Sequence, residues 1–153
     1  MEPTHDTEAQ QSLTGERLLV IDDAADLREL LASALGELGA EVLTAASGAE
    51  GLALALEHRP RLVVLDLVMD GMDGWQTLRL LRLEHDAIPV VIVSSRDQPQ
   101  DKIRALQEGA LDYLVKPIQP RRAARRIAAL LVGSEDGASD DGASDDGASV
   151  GAP

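Results

Sequence analysis

Four consecutive aliphatic residues, Leu62, Val63, Val64 and Leu65, follow Pro60 and Arg61 and end in a carboxylate, Asp66. No other stretch constrains the fold as tightly. An unbroken apolar run with two β-branched residues reads as a short strand buried on both faces, because a strand with one wet face alternates with period two. Asp66 has no packing reason to stand there. A bare charge at the lip of a buried strand costs on the order of several kcal/mol unless another group compensates it.

The same design recurs along the chain. Leu18 to Ile21 is a second aliphatic run and also ends in acid, at Asp22 and Asp23; Pro89 to Val93 ends in Ser94 and Ser95, and Leu111 to Val115 ends in Lys116 and Pro117. Glu41 to Ala45 supplies a fifth strand pattern. Between these runs the apolar spacing is helical. Leu27, Leu30, Leu31, Ala34, Leu35 and Leu38 share a face before Gly39, and Ser47 with Glu50 forms a capping-box pattern for a helix to about His58. Asp73 with Gln76 opens a helix carrying Trp75, Leu78 and Leu81, Asp97 is placed to cap one ending near Gln107, and Pro120 opens the last, to Gly133. Five strands alternating with five helices predict an α/β fold: a doubly wound, five-stranded parallel sheet in three α/β/α layers. In such sheets ligands bind beyond the carboxyl ends of the strands. Asp22, Asp66, Ser94 and Lys116 are therefore expected to converge.

Composition narrows the chemistry. The chain has no cysteine, which excludes disulfides, thiol catalysis and Cys-ligated zinc. Its formal charge of −13 opposes binding to a phosphate backbone and favours a cation or a basic partner. Phe is absent and Trp75 and Tyr113 are the only aromatics, so the core must be aliphatic. Residues 1–15 are polar without an apolar signal core, and no apolar run reaches the roughly 18 residues of a membrane helix, so no membrane partner and a soluble, cytoplasmic protein are expected. Those residues are read as a disordered leader, 16–133 as the domain, and 134–153, with its five-residue Asp-Gly-Ala-Ser-Asp repeat, as a disordered acidic tail. That tail is placed to compete for Arg121, Arg122, Arg125 and Arg126 on the last helix. His5, His58 and His85 show no ligand spacing and are expected at the surface.

Three carboxylates drawn together repel, and a divalent cation relieves the repulsion. Oxygen ligands, no thiolate and an incomplete cage favour Mg²⁺, which accepts one or two carboxylates and keeps several waters. Lys116 adds a point charge and Ser94 a hydroxyl, both suited to phosphoryl oxygens. Cation, lysine and hydroxyl around one carboxylate describe in-line phosphoryl transfer onto Asp66.

Taken in order, Asp22 with Asp23, Leu65-Asp66-Leu67, Met72-Asp73-Gly74, Val93-Ser94-Ser95, Gly109-Ala110, Asp112-Tyr113-Leu114 and Lys116-Pro117 resemble the receiver domain of bacterial two-component response regulators. The likeness covers about residues 17–132 and points to a stand-alone, chemotaxis-type receiver of flavodoxin-like fold. It implies that Asp66 is the phosphoacceptor, charged by a sensor histidine kinase or a histidine phosphotransfer protein. It further implies that Mg²⁺ is held by Asp22, Asp23, Asp66 and the backbone carbonyl of Val68, and that Ser94 and Lys116 hold the acyl phosphate. Tyr113 would follow Ser94 inward on activation, Lys116-Pro117 would be cis, and the output would be altered binding of an effector protein. On this reading the chain is no enzyme beyond its own phosphotransfer and autodephosphorylation, and it binds no nucleic acid. Asp70 in place of the usual proline, Val68 in place of a polar residue and Ile118 in place of phenylalanine bear on rates, not on the reaction. A flavin or nucleotide binder would want a phosphate-cradling loop where Asp22 and Asp23 stand. An aspartyl phosphatase would want a second acid at Val68. A phosphorelay intermediate and a degenerate receiver acting only as an interaction module are the remaining alternatives.

Overall fold

A computed structural model describes residues 12–69 and 73–140 of the chain. Strand β1 (Arg17–Ile21) leads to helix α1 (Ala25–Glu37), β2 (Glu41–Ala45) to α2 (Gly48–His58), and β3 (Leu62–Leu65) to α3 (Gly74–Glu84). Next come β4 (Val90–Ser94), α4 (Pro99–Gln107), β5 (Asp112–Val115) and α5 (Pro120–Asp140). All pairings are parallel in the order β2-β1-β3-β4-β5, the doubly wound sheet expected from the alternation of elements. Among the described residues no helix is long and apolar enough to cross a membrane.

Alternate residues of the buried strands serve two cores. Leu19, Ile21, Val63, Leu65, Val90 and Ile92 face Ala55 of α2, Leu78 and Leu81 of α3 and Ala105 of α4. Leu18, Val20, Leu62, Val64, Val91 and Val93 face Leu31 and Leu35 of α1 and Ala124 and Ile127 of α5. Both sides of the sheet are thus covered, which is why the strands carry continuous apolar runs. Register then fixes the site: Ile21 is level with Leu65, Leu65 with Ile92, and Ser94 with Val115. The residues immediately after β1 and β3 emerge side by side, and those after β4 and β5 emerge at the same end of the sheet.

Two helices begin as their sequence patterns predict, with Ser47 Oγ accepting from Glu50 N–H at 3.2 Å and Asp73 Oδ1 from Gln76 N–H at 2.8 Å. Asp97 does not cap α4; the N-cap is Gln98, because Pro99 takes the first helical position with its φ already set. The leader boundary also shifts. Residues 1–11 lie outside the described residues, but Leu13 is 2 % exposed and packs in the α1/α5 core, its N–H donating to Leu38 O at 2.7 Å. The last helix was expected to stop at Gly133 and instead continues to Asp140, since nothing short of proline forbids helix there and glycine merely weakens it. Residues 141–153 of the expected tail lie outside the described residues.

His85 is a further correction, being 7 % exposed. It ends α3 as its C-cap, bonding Leu81 O through its N–H at 2.7 Å, and the chain turns back there so that Ile88 N–H meets His85 O at 3.0 Å. His58 is half-buried beside Glu57, and His5 lies outside the described residues.

Candidate functional site

Asp66 follows β3 directly and is 4 % exposed, as is Asp22 after β1. Lys116 Nζ, arriving from the end of β5, donates to Asp22 Oδ2 at 3.1 Å and to Asp66 Oδ2 at 3.0 Å. The remaining oxygens are also engaged: Asp22 Oδ1 accepts from Ala24 N–H at 2.9 Å and Asp66 Oδ1 from Val68 N–H at 3.0 Å. Arg28 of α1 ties the loop to the helix, its Nη1 donating to Asp22 O at 2.8 Å. Asp23 is exposed at the rim, and the carboxylate oxygens of Asp22, Asp23 and Asp66 lie within 4.8 Å of one another.

One ammonium thus faces three acids. Burial lifts the Asp66 carboxyl above its ordinary range and the charge of Asp22 adds to the lift, with the bonds from Val68 N–H and Lys116 offsetting only part of it. Burial pulls the Lys116 ammonium down, but its bonds to Asp66 and Asp22 outweigh that, and its pKa is raised. The donor set fits a hard divalent cation, because it offers only carboxylate oxygens within reach of one another.

Gly74 sets the shape of the loop beneath the site. A Cβ there would lie 2.2 Å from Leu67 Cα and 2.3 Å from Asp66 O, so only glycine lets the start of α3 press against the backbone of the phosphoacceptor candidate. Residues 70–72, including Asp70 and Met72 of the sequence motif, lie outside the described residues.

Ser94 is fully buried at the end of β4, and its Oγ accepts from Arg96 N–H at 3.2 Å. Tyr113 is 5 % exposed and already points inward, its Oη donating to Arg96 O at 2.7 Å. Burial raises its phenol pKa, with the bond to Ser94 opposing. The Lys116-Pro117 peptide is cis. Val68 stands at the rim with its side chain 49 % exposed, and its N–H is the atom bonded to Asp66. Arg28 and the close approach at Gly74 leave no signal in the sequence; Arg96 borders the mouth by its place after Ser94 and Ser95, but its backbone contacts leave no pattern. A cavity of about 480 Å³ lies between β5 and the start of α5, lined by Tyr113, Val115, Ile118, Arg122 and Arg126, and not over the carboxylates.

A parallel sheet whose strands β1, β3, β4 and β5 deliver paired acids, a hydroxyl and a lysine to one end defines a doubly wound α/β domain with an acidic pocket at its carboxyl edge. Residues 18–128 match the profile of the response regulator receiver domain. This chain belongs to that family. It is 40% identical over 119 residues to protein PilH of Pseudomonas aeruginosa, covering 76% of this chain and 98% of PilH. It is 41% identical over 114 residues to the transcriptional regulatory protein AfsQ1 of Streptomyces coelicolor, covering 74% of this chain and 50% of that protein. The chain spans about half the length of most of the curated relatives it matches, such as the probable transcriptional regulator ycf27 of Porphyridium aerugineum, of which 48% is covered. Among solved structures it resembles the receiver domain of NtrX from Brucella abortus, with a TM-score of 0.71 and 32% identity over 75% of this chain and 98% of that one. The chemotaxis protein CheY4 of Vibrio cholerae superposes with a TM-score of 0.70 and 27% identity, covering 75% of this chain and 98% of that chain.

Proposed function

We propose that this chain is a phosphorylation-switched signalling receiver, in which Asp66 takes a phosphoryl group from the phosphohistidine of a sensor kinase or of a histidine phosphotransfer protein. The observation that carries this reading is Lys116 Nζ, which spans Asp22 and Asp66 at 3.1 and 3.0 Å. An Asp66 oxygen attacks phosphorus in line, a P–O bond forms as the P–N bond breaks, and the electron pair leaves with the imidazole. Lys116 exchanges its hold on the Asp66 carboxylate for the phosphoryl oxygens, and the Ser94 hydroxyl donates to another. Val68 N–H keeps the attacking carboxylate oriented. Mg²⁺ would be held by Asp22, Asp23, Asp66 and the Val68 carbonyl, where it neutralises charge that developing phosphoryl oxygens add to an acidic site.

Output is by altered binding of an effector protein, and the chain acts on no substrate but its own acyl phosphate. The test is a phosphate-affinity gel with a small acyl phosphate donor, with and without chelator, on the wild type and on Asp66→Asn. One shifted band is expected for the wild type with Mg²⁺ only. A shift that survives chelation, or that persists in the variant, refutes the assignment.

A further inference from the structure

Helix α1 starts without side-chain capping: its N-cap is Ala24, which has no polar group to meet the N–H groups of the first turn. The loop before it has instead a set of bonds converging on Asp22. The Asp22 N–H donates to Ala45 O at 3.1 Å, its Oδ1 accepts from Ala24 N–H at 2.9 Å, and its carbonyl oxygen accepts from Arg28 Nη1 at 2.8 Å. Arg28 is half-buried in the first turn of α1, and its own N–H bonds Ala24 O at 3.0 Å. It is therefore tied to the helix through its backbone and to the acidic loop through its guanidinium.

The carbonyl that Arg28 holds belongs to the peptide joining Asp22 to Asp23. A peptide unit is planar, and with Asp22 already held by its bond to Ala45, fixing the oxygen fixes the plane and so the direction in which Asp23 leaves the strand. Burial confines Asp22 and Asp66, each 4 % exposed, but not Asp23, which stands exposed at the rim. A carboxylate oxygen of Asp23 nevertheless lies within 4.8 Å of those of the other two. Resting on the reading of this pocket as a Mg²⁺ site, we propose that Arg28 is a positioning residue: through the Asp22 carbonyl it presents Asp23 to the cation and sets the affinity of the pocket for Mg²⁺. The role carries a sign that its charge does not. A guanidinium beside a cation site repels the cation, so removing its charge by itself tightens binding. Removing a group that orients a metal ligand weakens binding, typically by about 10- to 100-fold.

A brace that merely steadies α1 is the competing account, and Mg²⁺ affinity separates the two. The full chain is titrated with Mg²⁺ alone as wild type, Arg28→Met and Arg28→Lys, with no phosphoryl donor present. The Kd is read from the amide shifts of Ala24 and Val68, whose N–H groups bond Asp22 and Asp66. Urea midpoints are recorded in metal-free buffer. Arg28→Met is expected to bind Mg²⁺ roughly 10-fold more weakly than the wild type. Arg28→Lys, which keeps the charge and one donor group, should lie between them. An unchanged Kd in Arg28→Met, whatever happens to its urea midpoint, leaves Arg28 a brace and overturns the proposal. A tighter Kd leaves only its charge and overturns it equally. Should Arg28→Met not fold, Arg28→Lys decides alone: with the charge kept, a Kd weaker by about 3-fold or more supports positioning, and an unchanged Kd overturns it. A wild type whose amides do not respond to Mg²⁺ refutes the Mg²⁺ site itself and the proposal with it. That result is distinct from a wild type that binds and a variant that binds equally well.

Discussion

A carboxyl whose folded pKa is raised above its unfolded value of 3.8, as burial raises that of Asp66, holds its proton more tightly in the folded state. The linkage sign follows: below 3.8 both states are protonated and nothing is lost, and stability falls as pH rises through the folded value. At neutral pH the ionised Asp66 is therefore a liability that a cation relieves. Asp66→Asn in metal-free buffer at pH 7 should be more stable than the wild type by on the order of 1 kcal/mol, the range typical of relieved functional strain. The gain should shrink toward acid pH, as read from urea midpoints across the range. Lys116 has the same linkage sign. Its pKa is raised, so the stability it lends is fully present below 10.5 and is lost only as pH climbs through its higher folded value. Val68 governs the other end of the cycle. Its exposed apolar side chain beside Asp66 cannot orient an attacking water, so Val68→Asn should hasten loss of the phosphoryl group, by up to about 10²-fold. Decay of the phosphoprotein on the affinity gel measures this, and an unchanged or slower decay would remove the side chain from the account.

At the scale of elements, Arg82 ties three segments together at the end of the sheet opposite the acids. Its Nη2 donates to His85 O at 3.0 Å and also to Ile88 O, and its Nη1 reaches Gly109 O at 3.3 Å. Gly109 has φ 103° and closes α4, where a Cβ would lie 2.5 Å from Arg82 Cδ. The guanidinium therefore joins the ends of α3 and α4 to the approach of β4. Arg82→Met keeps the stem but removes the charged donor to His85 O, Ile88 O and Gly109 O, and should cost about 1–3 kcal/mol in urea denaturation, with the acidic site intact. The acids of the expected tail that would compete for Arg121, Arg122, Arg125 and Arg126, from Glu135 onward, have side chains outside the described residues.

For the molecule as a whole, the charge of −13 and the two-sided sheet set what it can approach. Cations concentrate on α5, where Arg121 pairs with Glu37 and Arg126 with Asp112, and the acids occupy the carboxyl edge of the sheet. Neither surface is a long basic groove. Fluorescence anisotropy with duplex DNA at physiological salt should show no sequence-specific binding by this chain, because neutralising backbone phosphates is the main source of such affinity. Salt-dependent, sequence-selective binding would contradict output through a protein effector.

Alternation of aliphatic runs with helical spacing determined the order of elements and the parallel sheet, since strands of four or five apolar residues are stable only when both faces are covered. The acids, hydroxyl and lysine were legible for the same reason: each ends a strand, and a parallel sheet brings its strand ends to one edge. Other features had no local signal. Leu13 is a single apolar residue in a polar stretch, and its burial depends on the distant partner Leu38. His85 ends a helix as surface residues often do, and the turn toward β4 is what buries it. Arg96 makes its decisive contacts through a backbone that any residue possesses, so their partners become visible only once Ser94, Tyr113 and α4 are brought together. Periodicity is a property of neighbours in the chain; these contacts join residues that only the folded sheet makes neighbours.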